Sequence, residues 1–137
     1  MAQKKILGWV RYGLLGLFAL AMLGGTAGHI LSPSFYEPFV PPFIPANLAN
    51  ITAAIVEGAI GVMLLVPRTR ALGAAAFCAL MIAFMPIHIW DATRDPPAIG
   101  STAAAMVRLV IQVGLIASSF WLARSLRRQQ VSKDDSA

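Results

Sequence analysis

Acidic side chains are almost missing from this chain. Six Asp and Glu stand against eleven Lys and Arg in 137 residues, and charged residues of both signs make up only 12%. A soluble domain usually carries roughly twice that fraction, so an ordinary water-facing surface is not available. Cysteine is nearly absent as well. The single Cys78 excludes an intrachain disulfide, paired-cysteine redox chemistry and any zinc site of several cysteines. Set among Ala and Leu, it reads as a small packing residue. Also lacking is a basic patch interleaved with exposed aromatics, so no nucleic acid partner is expected despite a formal charge of +5. The positive residues sit at the ends of apolar runs, where they report topology and contact with anionic lipid.

What the chain does have is apolar length: 58% of its residues are hydrophobic. Four stretches, at about 6–31, 48–66, 71–90 and 102–122, each approach the ~20 residues needed to cross a bilayer. The expected fold is all-α, an integral membrane four-helix bundle forming one domain over 1–128. Residues 129–137 read as a polar, disordered tail. Gly16, Leu20, Gly24 and Gly28 recur every fourth residue, as do Ala71, Ala75, Ala79 and Ala83, and both rows suit close helix packing. Trp9, Trp90 and Trp121 fall where interfacial aromatics belong. Lys4 and Lys5 before an apolar run resemble a signal peptide. The run is too long, however, and Arg11 and many glycines interrupt it, so a permanent helix is expected.

Basic residues set the orientation. Lys4 and Lys5 precede the first span, Arg68 and Arg70 follow the second, and Arg124, Arg127, Arg128 and Lys133 follow the fourth. The segment from Ser32 to Asn47 has none, and the third loop has only Arg94 against Asp91 and Asp95. The expectation is a multi-pass protein of the cell inner membrane with N- and C-termini cytoplasmic and the first and third loops outside. The first loop, Pro33 to Pro45, carries five prolines and four aromatics. Prolines forbid a regular helix there, while the aromatics want burial. Three readings stand: a stiff loop lying on the membrane, a lid over the outer mouth of the bundle, or a docking surface for a partner.

Polar groups inside the spans need a reason, since a charge near the bilayer centre costs roughly 2.5–3.5 kcal/mol. Glu57 lies about 13–14 Å below Leu48 at 1.5 Å per residue. Its same-face neighbours Ala53, Ala54 and Gly61 are small, so it should meet another helix. Arg108 and, one turn deeper, Gln112 lie on one face of the fourth span. A Glu57–Arg108 ion pair with Gln112 filling remaining hydrogen bonds is expected, either fixing register or lining a polar pocket. Pro86 should loosen the end of the third span, where His88 and Asp91 share a face and are expected to hydrogen-bond. His29 stands at similar depth on the first span. Two histidines on two helices raise haem ligation, but no other haem signature accompanies them. No metal is assigned to His29, His88 and Asp91, and no cofactor is expected. The candidate ligand or proton pocket is therefore Glu57, His88, Asp91, Arg108, Gln112 and His29, with no catalytic residue named.

The stretch Val56-Glu57-Gly58-Ala59-Ile60-Gly61 through Leu65-Val66-Pro67-Arg68-Thr69-Arg70 resembles the second-helix segment of DoxX-like membrane proteins. Phe84-Met85-Pro86-Ile87-His88 is similar to that family's third-helix motif, with Ile-His where Ala-Asn is commoner. His29-Ile30-Leu31 before a proline–aromatic run is similar too. The resemblance covers about Gly13 to Leu122 and implies a four-helix membrane bundle in which Glu57 matches the family glutamate. Relatives are linked to quinol oxidation, oxidative-stress complexes and assembly of membrane proteins. Three function classes follow. The first is an accessory or binding subunit of a membrane complex, taking a lipophilic small molecule or a membrane-protein partner. The second is a redox subunit handling a quinol, with quinone as the ligand and a partner carrying the electron acceptor. The third is a small proton-coupled transporter, for which four spans demand a homo-oligomer.

Overall fold

A computed structural model describes residues 2–135. Five α-helices and one 3-10 turn follow in order: α1 Ala2–Leu31, α2 Pro33–Tyr36, the turn Glu37–Phe39, α3 Ala46–Leu65, α4 Arg70–Ala92 and α5 Thr102–Asp134. Helices α1, α3, α4 and α5 are long and apolar enough to cross a membrane. They run up, down, up and down. Cys78 on α4 faces Ile116 on α5, for example, while Arg11 near the start of α1 bonds Ser125 near the end of α5. Both ends of the described chain therefore lie at one end of the bundle, called here the terminal end; the opposite is the loop end.

The helices associate as two tight antiparallel pairs, α1 with α3 and α4 with α5, joined through α3 and α4. Helices α1 and α5 barely meet. Where lipid surrounds the bundle, burial of apolar area between helices gains little, so close packing and hydrogen bonds have to hold the pairs. Glycines supply the closeness. A Cβ at Gly73 of α4 would stand 3.0 Å from the backbone of Met63 and Leu64, and one at Gly61 of α3 would stand 2.8 Å from Leu23 of α1. The two rows expected to pack do so only at one end each, Gly28 against Tyr36 and Ala71 in the core. A Cβ at Gly16 or Gly24 would meet nothing within 4 Å, and Leu20 is 73% exposed. Of the alanine row only Ala71 is buried. A four-residue spacing advances 400° around an α-helix, so a long row drifts off any one contact face.

The apolar core fills the terminal half, where Phe18 and Phe77 stack with centroids 4.3 Å apart over Met22, Leu64 and Leu122. Cys78 is buried there and donates weakly to the Ile116 carbonyl at 3.6 Å. Helix α3 ends ahead of Pro67, and Arg70 Nη2 donates to the Leu65 carbonyl at 3.1 Å. Ser101 caps α5 by accepting from Ala104 N–H at 3.2 Å. Pro86 lies inside α4, which continues to Ala92; a missing N–H is tolerated where neighbouring helices support the backbone. Two local expectations change. The proline-rich loop forms two short helical turns, because Pro33 and Pro38 stand at the first and second positions of their turns, where a missing N–H costs nothing. Finally, α5 stays helical through Asp134, past the boundary expected at Arg128. Gln, Arg and Lys are good helix formers, and polarity alone does not stop a helix. Residues 136 and 137 of the expected tail lie outside the described residues.

Candidate functional site

The loop half of the bundle is polar where the terminal half is oily. Glu57, just past the middle of α3, is only 5% exposed. It fits because α1 offers a glycine: a Cβ at Gly25 would overlap the Glu57 carboxylate, and one at Gly28, a turn further, would overlap the Tyr36 hydroxyl. Two missing side chains on one face of α1 thus make room for one acid from α3 and one phenol from the loop. Above them lies a cavity of about 190 Å³ walled by all four long helices and the proline-rich loop. His29, Asn50, Glu57, His88 and Arg108 contribute polar atoms to its wall, and Phe84, Ile87, Val40 and Ile44 contribute apolar surface.

Two separate charge clusters border this cavity, and they correct the expected pairing. Glu57 does not pair with Arg108. Its Oε1 faces His29 Nε2 at 3.7 Å, while Arg108 Nη1 donates to Asp91 Oδ2 at 3.4 Å. The reason lies in depth and helix pairing. Helix α1 packs along α3, and α4 along α5, so each charge finds its partner within its own pair. His29 Nδ1 donates to Asn50 Oδ1 at 2.7 Å, and Asn50 Nδ2 donates to the Pro33 carbonyl at 3.4 Å. That chain fixes the amide and the tautomer, leaving Nε2 as the nitrogen turned to the carboxylate.

Asp91, 1% exposed, is the hub of the second cluster. It accepts from Ala98 N–H at 2.7 Å and faces Arg94 at 3.5 Å as well as Arg108. The expected His88–Asp91 hydrogen bond is therefore replaced: Asp91 is occupied by arginines, and His88 Nδ1 is buried with no hydrogen-bond partner. Gln112 does not serve Glu57 or Arg108 either, since its Nε2 donates to the Met81 carbonyl at 2.7 Å. Glu57 Oε2 is likewise buried without a partner. Of the six residues proposed from sequence, His29, Glu57, His88 and Arg108 line one cavity, while Asp91 and Gln112 stand behind it. Among the described residues no three of His, Cys, Asp and Glu gather as a metal site.

The loop is fastened to every helix around the cavity. Tyr36 stacks on His29 of α1 with centroids 3.8 Å apart, and the Pro33 carbonyl receives Asn50 of α3. The Pro38 carbonyl accepts from Arg94 Nη1 near the end of α4 at 2.7 Å, and the Phe39 ring lies 4.7 Å beneath the Arg108 guanidinium of α5. Phe35 and Phe43 point away and are exposed. Burial raises the pKa of the Tyr36 phenol above its ordinary value, and the nearby Glu57 charge raises it further. Asn50 and Tyr36 were missed from sequence. Asn50 had a signal, because it precedes Glu57 by seven residues and so shares its face of α3. Tyr36 had none, since a loop side chain carries no periodicity.

A family model, described as a domain of unknown function (DUF8561), matches residues 18–123. That range takes in the core, the cavity and its loop. No curated protein and no solved structure matches the chain.

Proposed function

For this chain, a member of the DUF8561 family, we propose a binding role: an inner-membrane protein that seats the head of a small lipophilic molecule under its proline-rich loop. It acts as the binding or accessory subunit of a membrane complex, in the manner of the DoxX-like proteins it resembles. The observation that carries this reading is the loop-end cavity, in whose largely apolar wall stand Glu57 and His88, each with a buried polar atom, Oε2 and Nδ1, that has no hydrogen-bond partner. Buried polar atoms are normally satisfied, and exceptions point to a missing partner. Apolar walls with a few convergent polar groups are the usual make-up of a small-molecule site. A volume of about 190 Å³ suits one substituted ring, since a cavity of roughly 150 Å³ accepts benzene. Arg11, Arg68, Arg70 and the arginines after Leu122 support a cytoplasmic terminal end, which would put the cavity in the outer half of the bilayer.

The test is purification in mild detergent followed by solvent extraction and mass spectrometry of the bound small molecules. The expected result is one lipophilic compound retained near one per chain, and lost in Glu57→Ala and His88→Ala when retention is counted per folded chain. An empty wild-type protein, or equal retention in all three, would sink the reading. A second reading has its own support. Glu57 Oε1 and His29 Nε2 stand 3.7 Å apart at the cavity wall, a carboxylate beside an imidazole, which suits a ligand that releases protons on oxidation, such as a quinol. A partner would then carry the electron acceptor, and a quinone should dominate the extract.

A further inference from the structure

The terminal end holds a second cavity, of about 170 Å³, walled by α1, the start of α4 and the far part of α5. Arg11, Tyr12, Arg70, Gln129 and Gln130 supply its polar lining and Leu15 part of its apolar floor. Arg11 Nε donates to Ser125 Oγ at 2.5 Å, which ties α1 to α5 at this level. The Arg70 guanidinium lies 5.9 Å over the Tyr12 ring and gives Nη2 to the Leu65 carbonyl, yet its Nε is buried without a partner. Neither arginine has a carboxylate partner among the described residues; the three ion pairs all lie in the loop half. Four of the six acids, Glu37, Glu57, Asp91 and Asp95, belong to the loop half, and only Asp134 and Asp135 follow α5's basic run.

Depth points to what neutralises them. From Leu31 back to Arg11 is 20 residues of α1, and from Thr102 to Leu122 is 20 of α5. At about 1.5 Å per residue each covers about 30 Å, the thickness of the hydrocarbon core. Arg11, Ser125 and Arg70 therefore stand where lipid phosphates stand, with Leu15 one turn inside. We propose that this cleft binds the phosphodiester of an anionic phospholipid, with Arg11 and Arg70 as the two cationic walls and Gln129 and Gln130 as further donors. Arginine suits the task because its planar fork offers two parallel N–H donors to phosphate oxygens. The site shares no residue with the loop-end cavity and does not depend on the function proposed for it.

Native mass spectrometry of the full chain, exchanged into micelles doped with phosphatidylglycerol or phosphatidylcholine, tests the proposal. The wild type should keep one phosphatidylglycerol and shed phosphatidylcholine. Arg11→Gln with Arg70→Gln should weaken retention about 30-fold, taking about 1 kcal/mol for each basic residue near the surface. Arg127→Gln with Arg128→Gln should change retention far less. If the Arg11 variant fails to fold, Arg70→Gln alone leaves the Arg11–Ser125 bond in place and should still weaken retention severalfold. Three results would each overturn the proposal: equal retention of both lipids, equal loss in the two double variants, or full displacement of the lipid by millimolar inorganic phosphate.

Discussion

The two halves of this bundle solve the same problem, charge next to oil, in opposite ways. In the loop half acids and bases are paired inside the protein: Glu57 with His29, and Asp91 with Arg94 and Arg108. In the terminal half Arg11, Arg70 and Arg124 have no acid partner among the described residues and lean on an alcohol, a carbonyl or an aromatic ring instead. Internal pairing leaves the loop half dependent on each member of a cluster. Reliance on the surroundings leaves the terminal half tolerant of single losses and sensitive to the medium.

The largest effect expected from this contrast is at Asp91. Asp91→Ala strands Arg108 and Arg94 and frees the Ala98 N–H, and should cost about 3–5 kcal/mol in a detergent melting or denaturation assay. A loss below about 1 kcal/mol would show that water already serves these arginines, and the contrast would fail. Next comes the junction between the halves' two helix pairs. Gly73→Leu presses a side chain against the α3 backbone and should destabilise by about 1–3 kcal/mol, since overpacking displaces both helices. A double-mutant cycle follows. Glu57→Gln with His29→Gln should couple by about 0.5–3 kcal/mol, whereas Glu57→Gln with Arg108→Gln should be close to additive. Arg127→Gln with Arg128→Gln, at the terminal end, should stay within about 0.5 kcal/mol per site in neutral detergent. The smallest effect concerns Tyr36. Its folded pKa is raised, so stability should be flat below the unfolded tyrosine pKa of about 10 and fall as pH rises through the folded value. Tyr36→Phe should remove that part of the alkaline slope.

These comparisons also separate what was legible in the sequence from what was not. The four spans were legible because apolar length is a one-dimensional property, and the boundaries 48–66 and 71–90 fall within about two residues of α3 and α4. The membership of the pocket was largely legible too, because each buried polar residue in a span demands a neighbour. Partner choice was not. Glu57 could meet Arg108 or His29 on depth alone, and only the packing of α1 along α3 decides. The small-residue rows misled for a related reason: every fourth residue looks like a face, yet the glycines that matter, Gly25, Gly61 and Gly73, are those facing a specific side chain or backbone on another helix.

The fastening of the loop bears on how the molecule is made. Helices α1 and α3 are neighbours in the chain, as are α4 and α5, so each pair can close soon after it is synthesised, with little chain to search. The loop emerges with the first pair, where His29 and Asn50 already hold Tyr36 and Pro33. Its other two anchors, Arg94 and Arg108, arrive only with the second pair. A nascent chain halted before α5 would thus own Glu57, His29 and the stacked tyrosine but lack Arg108, the last wall of the cavity. The loop-end cavity is complete once α5 has begun, whereas the terminal cleft waits for Gln129 and Gln130 near the end of that helix.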